Sequence, residues 1–245
     1  MQLGYDLKMF EGEVKDGNIT RMNGAQRAKF DAYYGPIHED FKSRNLSGNA
    51  LTEWKYQRYM RDYLSTAASL DRNIARTLDY LDRNNLAQNT IVIYVSDQGF
   101  FLGEHGWFDK RFMYEELFRT PMVMRYPGKI KEGTISDNLV MNLDIAPTLL
   151  QAAGVAVPKD MQGQSFLPQV TGEKGKGRDA MYYHYYENGE HAVSPHFGIS
   201  TGRYKLIRFY KRIEGWELYD LEKDKSEMKN VSGSKKYRKV EARLK

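Results

Sequence analysis

The sequence predicts an α/β protein: a largely parallel sheet flanked by helices, followed by a smaller antiparallel part. Three observations predict it. A long amphipathic helix leads into a short, nearly all-apolar, β-branched run; a second such run follows; and after about Thr171 the texture changes to alternating, aromatic-rich segments separated by turn residues. The expected division is residues 1–171 for the α/β part and 172–245 for the antiparallel part.

Residues 1–19, punctuated by Gly4, Gly12 and Gly17, read as a connecting segment with one short hairpin. Met22 to Tyr34 carries a helical pattern that is expected to stop at Gly35-Pro36, a strong breaker pair. The clearest helix runs from near Asn49 to about Asn84. Its apolar residues Tyr56, Tyr59, Met60, Tyr63, Leu64, Ala67, Leu70, Ile74, Leu78 and Leu81 step by three and four. Such a stripe predicts packing on something large, a sheet above all. Thr90 to Ser96 reads as a strand buried on both faces, the signature of a parallel sheet covered by helices. Pro121 to Arg125 is a second strand, closed by Pro127-Gly128. Asp144 is placed to cap a helix that holds Pro147 in its first turn and ends at Gly154.

Gly172, Gly175 and Gly177 then mark a connector among Lys and Glu. Met181–Glu187, Phe197–Thr201, Arg203–Tyr210 and Trp216–Leu221 predict an antiparallel meander of four strands.

Composition narrows the function. The 245 residues carry a net charge of +5 and no cysteine, which excludes disulfides, thiolate metal sites and a cysteine nucleophile within them. The longest apolar stretch, Ile91 to Val95, is far short of the roughly 20 residues a membrane span needs. No signal-peptide pattern opens the chain. The basic cluster Lys235, Lys236, Arg238 and Lys239 reads as a solvated C-terminus, and no basic stripe suggests nucleic acid.

The chemistry concentrates in Ser96 to Lys110. Asp97 and Gln98 fall at the carboxyl end of a buried strand, the edge where open α/β sheets build their sites. A carboxylate beside a carboxamide oxygen suits a hard divalent cation such as calcium or magnesium, although an aspartate after a strand is also a common cap. Gly99 allows a sharp turn. Gly103 and Gly106 bracket Glu104 and His105 on a loop, and Lys110 lies far enough along to return an ammonium to an anion held by the metal.

These segments resemble the second half of the type I sulfatases. The residues that carry the resemblance are Asp97-Gln98-Gly99, Leu102-Gly103-Glu104-His105-Gly106, Lys110, Tyr114-Glu115, Arg119-Thr120-Pro121, Leu143 to Leu150, Ala153-Gly154, Gln162-Gly163 and Trp216 to Leu221. Within that family the sequence is most similar to bacterial glycan sulfatases of the N-acetylglucosamine-6-sulfatase type. The resemblance implies an alkaline-phosphatase-like fold, here its C-terminal portion. It implies that Asp97 and Gln98 ligate a catalytic calcium and that Lys110 contacts the sulfate ester. The implied partner is a sulfated carbohydrate, and the implied location is the periplasm or surface of a bacterium. His105 is read either as a loop brace or as a substrate contact. His191 and His196 stand in an aromatic, histidine-rich patch and are read either as sugar contacts or as ordinary strand residues. Tyr114 and Glu115 are expected to open a helix over the site.

One departure is large. The family nucleophile is a formylglycine made from Cys or Ser in a Cys/Ser-x-Pro/Ala-x-Arg motif, and no such motif occurs in these residues. The expectation is that residues 1–245 alone do not turn over sulfate esters. The sequence assigns no oligomeric state. The rival readings are a phosphoester or phosphonate hydrolase of the same superfamily and a non-catalytic glycan-binding remnant.

Overall fold

The computed structural model describes residues 7–8, 17–173 and 175–245. Most of the hairpin expected in residues 1–19 lies outside them. The chain separates into two compact units, one joining the residues up to Ala75 with Phe101–Asp109, the other comprising Arg76–Phe100 and Lys110–Lys245. The boundary expected near Thr171 falls inside the second unit.

In the first unit a single turn, α1 (Gly17–Thr20), precedes α2 (Gly24–Arg44). Asn23 opens α2 with a capping box: its side chain accepts from the Gln26 amide at 2.9 Å while the Gln26 side chain accepts from the Asn23 amide at 3.0 Å. The helix does not stop at Gly35-Pro36 as the sequence suggests; Pro36 lies inside it, and α2 ends only at Asn45, which adopts φ 46°. An internal proline costs about 3 kcal/mol. Contacts on either side offset that cost: Phe41 packs on Trp54 at 4.4 Å, and the Tyr33 hydroxyl accepts from Arg58 at 3.2 Å.

Gly48–Arg83 forms α3, with the bounds its periodicity predicts. Its apolar stripe is only partly covered, for Tyr56, Tyr63, Leu64 and Leu70 are exposed. The first unit closes with a hairpin of β2 (Phe101–Leu102) and β3 (Phe108–Asp109).

In the second unit β1 (Val92–Val95) pairs with β4 (Met122–Arg125). The pairing is antiparallel, where the apolar run suggested a parallel sheet buried on both faces. The intervening chain holds the short hairpin and the single-turn helix α4 (Glu115–Phe118), with no full-length crossover helix to carry the chain back for parallel pairing. The cross-strand pair Tyr94 and Val123 lies on an open face, 44% and 65% exposed.

A 3-10 turn (Asn142–Asp144) leads into α5 (Ile145–Ala152), and Gly154 follows at φ 71°, as a helix-ending glycine should. After α6 (Leu167–Thr171) come β5 (Met181–Tyr185), β6 (His196–Ser200), β7 (Tyr204–Phe209) and β8 (Gly215–Asp220), in the predicted antiparallel order β5-β6-β7-β8. Leu206, Ile207, Phe209 and Leu218 from this sheet, with Met113 and Leu117, form the core. The final helix, α7, is Arg238–Leu244. Among the described residues, no helix is long and apolar enough to cross a membrane.

Candidate metal and anion site

Asp97 and Gln98 sit together on the turn that leaves the carboxyl end of β1. Their backbone is held from three directions. Ser96 folds the turn by donating from its hydroxyl to the Gln98 carbonyl at 2.7 Å. From the 3-10 turn before α5, the Asn142 side-chain amide donates to the Asp97 carbonyl at 2.9 Å. From α4, the Leu117 carbonyl accepts from the Gly99 amide at 2.8 Å and the Glu116 carbonyl from the Phe100 amide at 3.1 Å. Gly99 is required here for lack of space: a β-carbon would overlap the Glu116 carbonyl oxygen and lie 2.7 Å from the Leu117 Cα.

The Asp97 carboxylate is exposed, and among the described residues neither it nor the Gln98 carboxamide has an internal hydrogen-bond partner. Two oxygen donors on a fixed backbone, left uncommitted by the protein, fit a hard cation that takes oxygen ligands. They supply two of the roughly six to eight oxygens calcium requires.

Lys110 follows β3 and is half-buried, and its ammonium has no hydrogen bond or ion pair among the described residues. Its neighbours Asp109 and Arg111 adopt φ 83° and 103°. Two non-glycine residues in left-handed backbone cost of order 1–3 kcal/mol each, and strain of this kind clusters at functional positions.

The Asn142 turn is itself locked. Asp144 is buried, and its carboxylate accepts from the Met141 amide at 2.9 Å, the Gln164 amide at 2.7 Å and Arg178 Nε at 2.9 Å. Asp144 therefore stands at the start of α5 without capping it by its side chain, since its oxygens are taken by these donors. Burial works to raise its pKa, but the Arg178 guanidinium and the two amides prevail and hold the carboxyl below its ordinary value. Thr148 extends the lock, donating to the Asp144 carbonyl at 2.6 Å and accepting from the Phe166 amide at 3.0 Å.

The histidines divide differently. His105 belongs to the first unit, where its ring packs against Phe101 and Trp107 at 5.5 and 5.7 Å on the bent hairpin loop. That is the environment of a loop brace. His196, read from the sequence either as a sugar contact or as an ordinary strand residue, lies in the core with 0% exposure. Its Nδ1 meets the Ser194 carbonyl at 2.9 Å, and Phe112, Tyr183, Tyr185 and Phe209 enclose the ring. Strand alternation points it inward, so it has no face to offer a ligand. Burial pushes its pKa down from the ordinary imidazole value. His191 bonds Glu187 at 2.6 Å, Glu187 also accepts from the Tyr185 hydroxyl at 2.6 Å, and Glu190 lies beside them.

Glu115 does open α4, as expected, and its side chain pairs with Lys205. Asn142, Arg178 and Lys205 went unnoticed in the sequence. Only Asn142 left a signal, by its place two residues before Asp144.

Residues 17–155 match the family described as Sulfatase, and residues 103–245 match N-sulphoglucosamine sulphohydrolase, C-terminal. The chain is 50% identical to an N-acetylglucosamine-6-O-sulfatase of Bacteroides thetaiotaomicron, over 98% of this chain and 45% of that protein. A protein solved in complex with its substrate, D-glucosamine-2-N,6-O-disulfate, superposes with a TM-score of 0.87 at 48% identity, covering 92% of this chain and 47% of the other. A phosphonate monoester hydrolase from Silicibacter pomeroyi, at 23% identity and a TM-score of 0.68 over 82% of this chain and 41% of that one, shares the fold alone. The chain thus spans about half the length of the relatives it matches. The architecture they have in common is the alkaline-phosphatase-like α/β fold. The chain belongs to the sulfatase family.

Proposed function

We propose that this chain carries part of the calcium site and the sulfate-binding lysine of a sulfuric ester hydrolase acting on sulfated carbohydrates, with 6-O-sulfated glucosamine as the substrate class. The observation that carries this reading is the fixed Asp97-Gln98 turn, whose oxygen donors are uncommitted, in a chain 50% identical to an N-acetylglucosamine-6-O-sulfatase. Asp97 and Gln98 would hold the calcium, which when bound supplies Lewis-acid polarisation of the sulfuryl oxygens. Lys110 binds the ester anion and stabilises negative charge developing on the leaving oxygen, the kind of preorganised electrostatics that dominates such reactions. Asn142, Leu117 and Glu116 keep the Asp97-Gln98 backbone in place. The nucleophile is a formylglycine, and because residues 1–245 contain no Cys/Ser-x-Pro/Ala-x-Arg motif, they are inactive by themselves. The setting is the bacterial periplasm or cell surface.

The test compares sulfate release from 6-O-sulfated glucosamine with hydrolysis of a phosphonate monoester. It uses residues 1–245 alone and a polypeptide in which they are joined to a segment bearing the nucleophile motif. The joined polypeptide should release sulfate and strongly prefer it, and residues 1–245 alone should do neither. Preference for the phosphonate, sugar binding without turnover in the joined form, or turnover by pure 1–245 would each contradict the proposal.

A further inference from the structure

The antiparallel sheet carries a charge that its core does not need. Lys205, on β7, has 0% exposure, yet its ammonium lies 2.7 Å from Glu115 Oε1 and 2.9 Å from Glu227 Oε1. It also sits 5.4 Å from the centre of the Phe118 ring. Glu227 is as deeply buried, adopts φ 51°, and uses its second oxygen to accept from the Glu115 amide at 2.6 Å. Burying the charges of Lys205 and Glu227 beside a partly exposed Glu115 is expensive, and apolar side chains of similar volume often serve stability as well or better. What ionic partners add is a fixed geometry.

That geometry has a destination. Glu115 is the first residue of α4, and the next two residues, Glu116 and Leu117, present the carbonyls that accept from Phe100 and Gly99. Gly99 is pressed so closely on α4 that no β-carbon fits between them. A shift or rotation of this single-turn helix is therefore passed directly to the backbone adjoining Asp97 and Gln98. A helix this short cannot hold its own orientation, since nucleating one turn is unfavourable in isolation.

We propose that Lys205, Glu115 and Glu227 are positioning residues for the metal-binding turn: the buried triad fixes the first turn of α4, and α4 fixes Gly99 and Phe100. The assignment rests on the reading of Asp97 and Gln98 as metal ligands, and the experiment separates the two.

Amide hydrogen exchange on residues 1–245 reads the positioning without any metal. Glu115→Gln removes the partly exposed charge and leaves Lys205 with Glu227, so the variant retains its fold even where Lys205→Met does not. Exchange at Gly99 and Phe100 should accelerate at least tenfold relative to the slowest amides of β7. Asn230→Ala serves as a control: it removes the bonds from Asn230 to Leu218 and Trp216, weakening the same sheet without touching α4. It should leave that ratio unchanged. In the joined, active polypeptide, Glu115→Gln should raise the calcium concentration for half-maximal activity at least fivefold, while Asn230→Ala should not. Unchanged exchange at Gly99 and Phe100 in Glu115→Gln, or an equal change in the control, would overturn the positioning role. A calcium requirement unaltered by Asp97→Ala would instead overturn the metal reading, and with it the second arm alone.

Discussion

The side-chain amide of Asn142 donates to the backbone carbonyl of Asp97 at 2.9 Å, joining the turn after β1 to the turn before α5 across 45 residues of sequence. The bond leaves the Asp97 carboxylate uncommitted and fixes the atoms that carry it. Removing one such bond costs about 1 kcal/mol. Asn142→Ala should therefore lower unfolding stability by about that amount in a denaturant titration. In the joined polypeptide it should also raise the calcium concentration for half-maximal activity by more than the stability loss alone would produce.

Arg178 is the cation that compensates the buried Asp144. Arg178→Met leaves that carboxylate with only two backbone donors, and breaking a buried pair from one side costs about 3 kcal/mol. The sign of the pH effect follows from the lowered pKa of Asp144 in the folded protein. Its stabilisation is fully present above the unfolded carboxyl value of about 3.9 and is lost as pH falls through the lower folded value. The variant should lose stability at neutral pH, and thermal melts between pH 3 and pH 7 should show a flatter acid dependence than the parent.

Gly99→Ala tests the contact between the Asp97-Gln98 turn and α4. The new β-carbon would meet backbone on α4, which cannot step aside as a flexible side chain could. Overpacking of this kind costs about 1–3 kcal/mol. Loss of calcium-dependent activity should accompany a melting temperature reduced by several degrees; unchanged activity would mean that the turn tolerates displacement.

His196 gives a separate pH signature. Because burial depresses its pKa, the folded protein favours the neutral ring. Its contribution is whole above the unfolded value of about 6.5 and declines as pH falls below it. His196→Phe keeps a ring in the aromatic surround and removes the titration. Melting curves at pH 5 and pH 8 should therefore lie closer together in the variant than in the parent.

Much of this architecture was legible in the residues. The bounds of α3 and the four strands of the antiparallel sheet follow from periodicities carried within each segment. The helix end at Gly154 follows from a local backbone need. What was not legible depends on residues far apart. The apolar run of β1 reads the same whichever way its partner points, and its direction is decided by the connection to β4. Gly35-Pro36 is a breaker locally, but contacts of Tyr33 and Phe41 with α3 carry the helix through it. At the site, Asp97, Gln98 and Lys110 stand in one recognisable stretch. Arg178 meets Asp144 across 34 residues, and Glu227 meets the Glu115 amide across 112, distances over which no spacing rule operates.

Lys110 bears the electrostatic part of the proposed reaction, and its replacement by alanine should cost about 10²–10³ in turnover, the range seen when a preorganised charge-stabilising group is removed. Stability should barely change, since the ammonium has no partner among the described residues.

The most direct measurement is sulfate release from 6-O-sulfated glucosamine by the joined polypeptide, before and after chelation and on adding calcium back, in the parent and in Asp97→Ala. Chelation should abolish release, calcium should restore it in the parent, and Asp97→Ala should stay inactive at calcium concentrations that saturate the parent. Release that persists through chelation, or that Asp97→Ala sustains at the parent's rate and calcium requirement, would contradict the proposal.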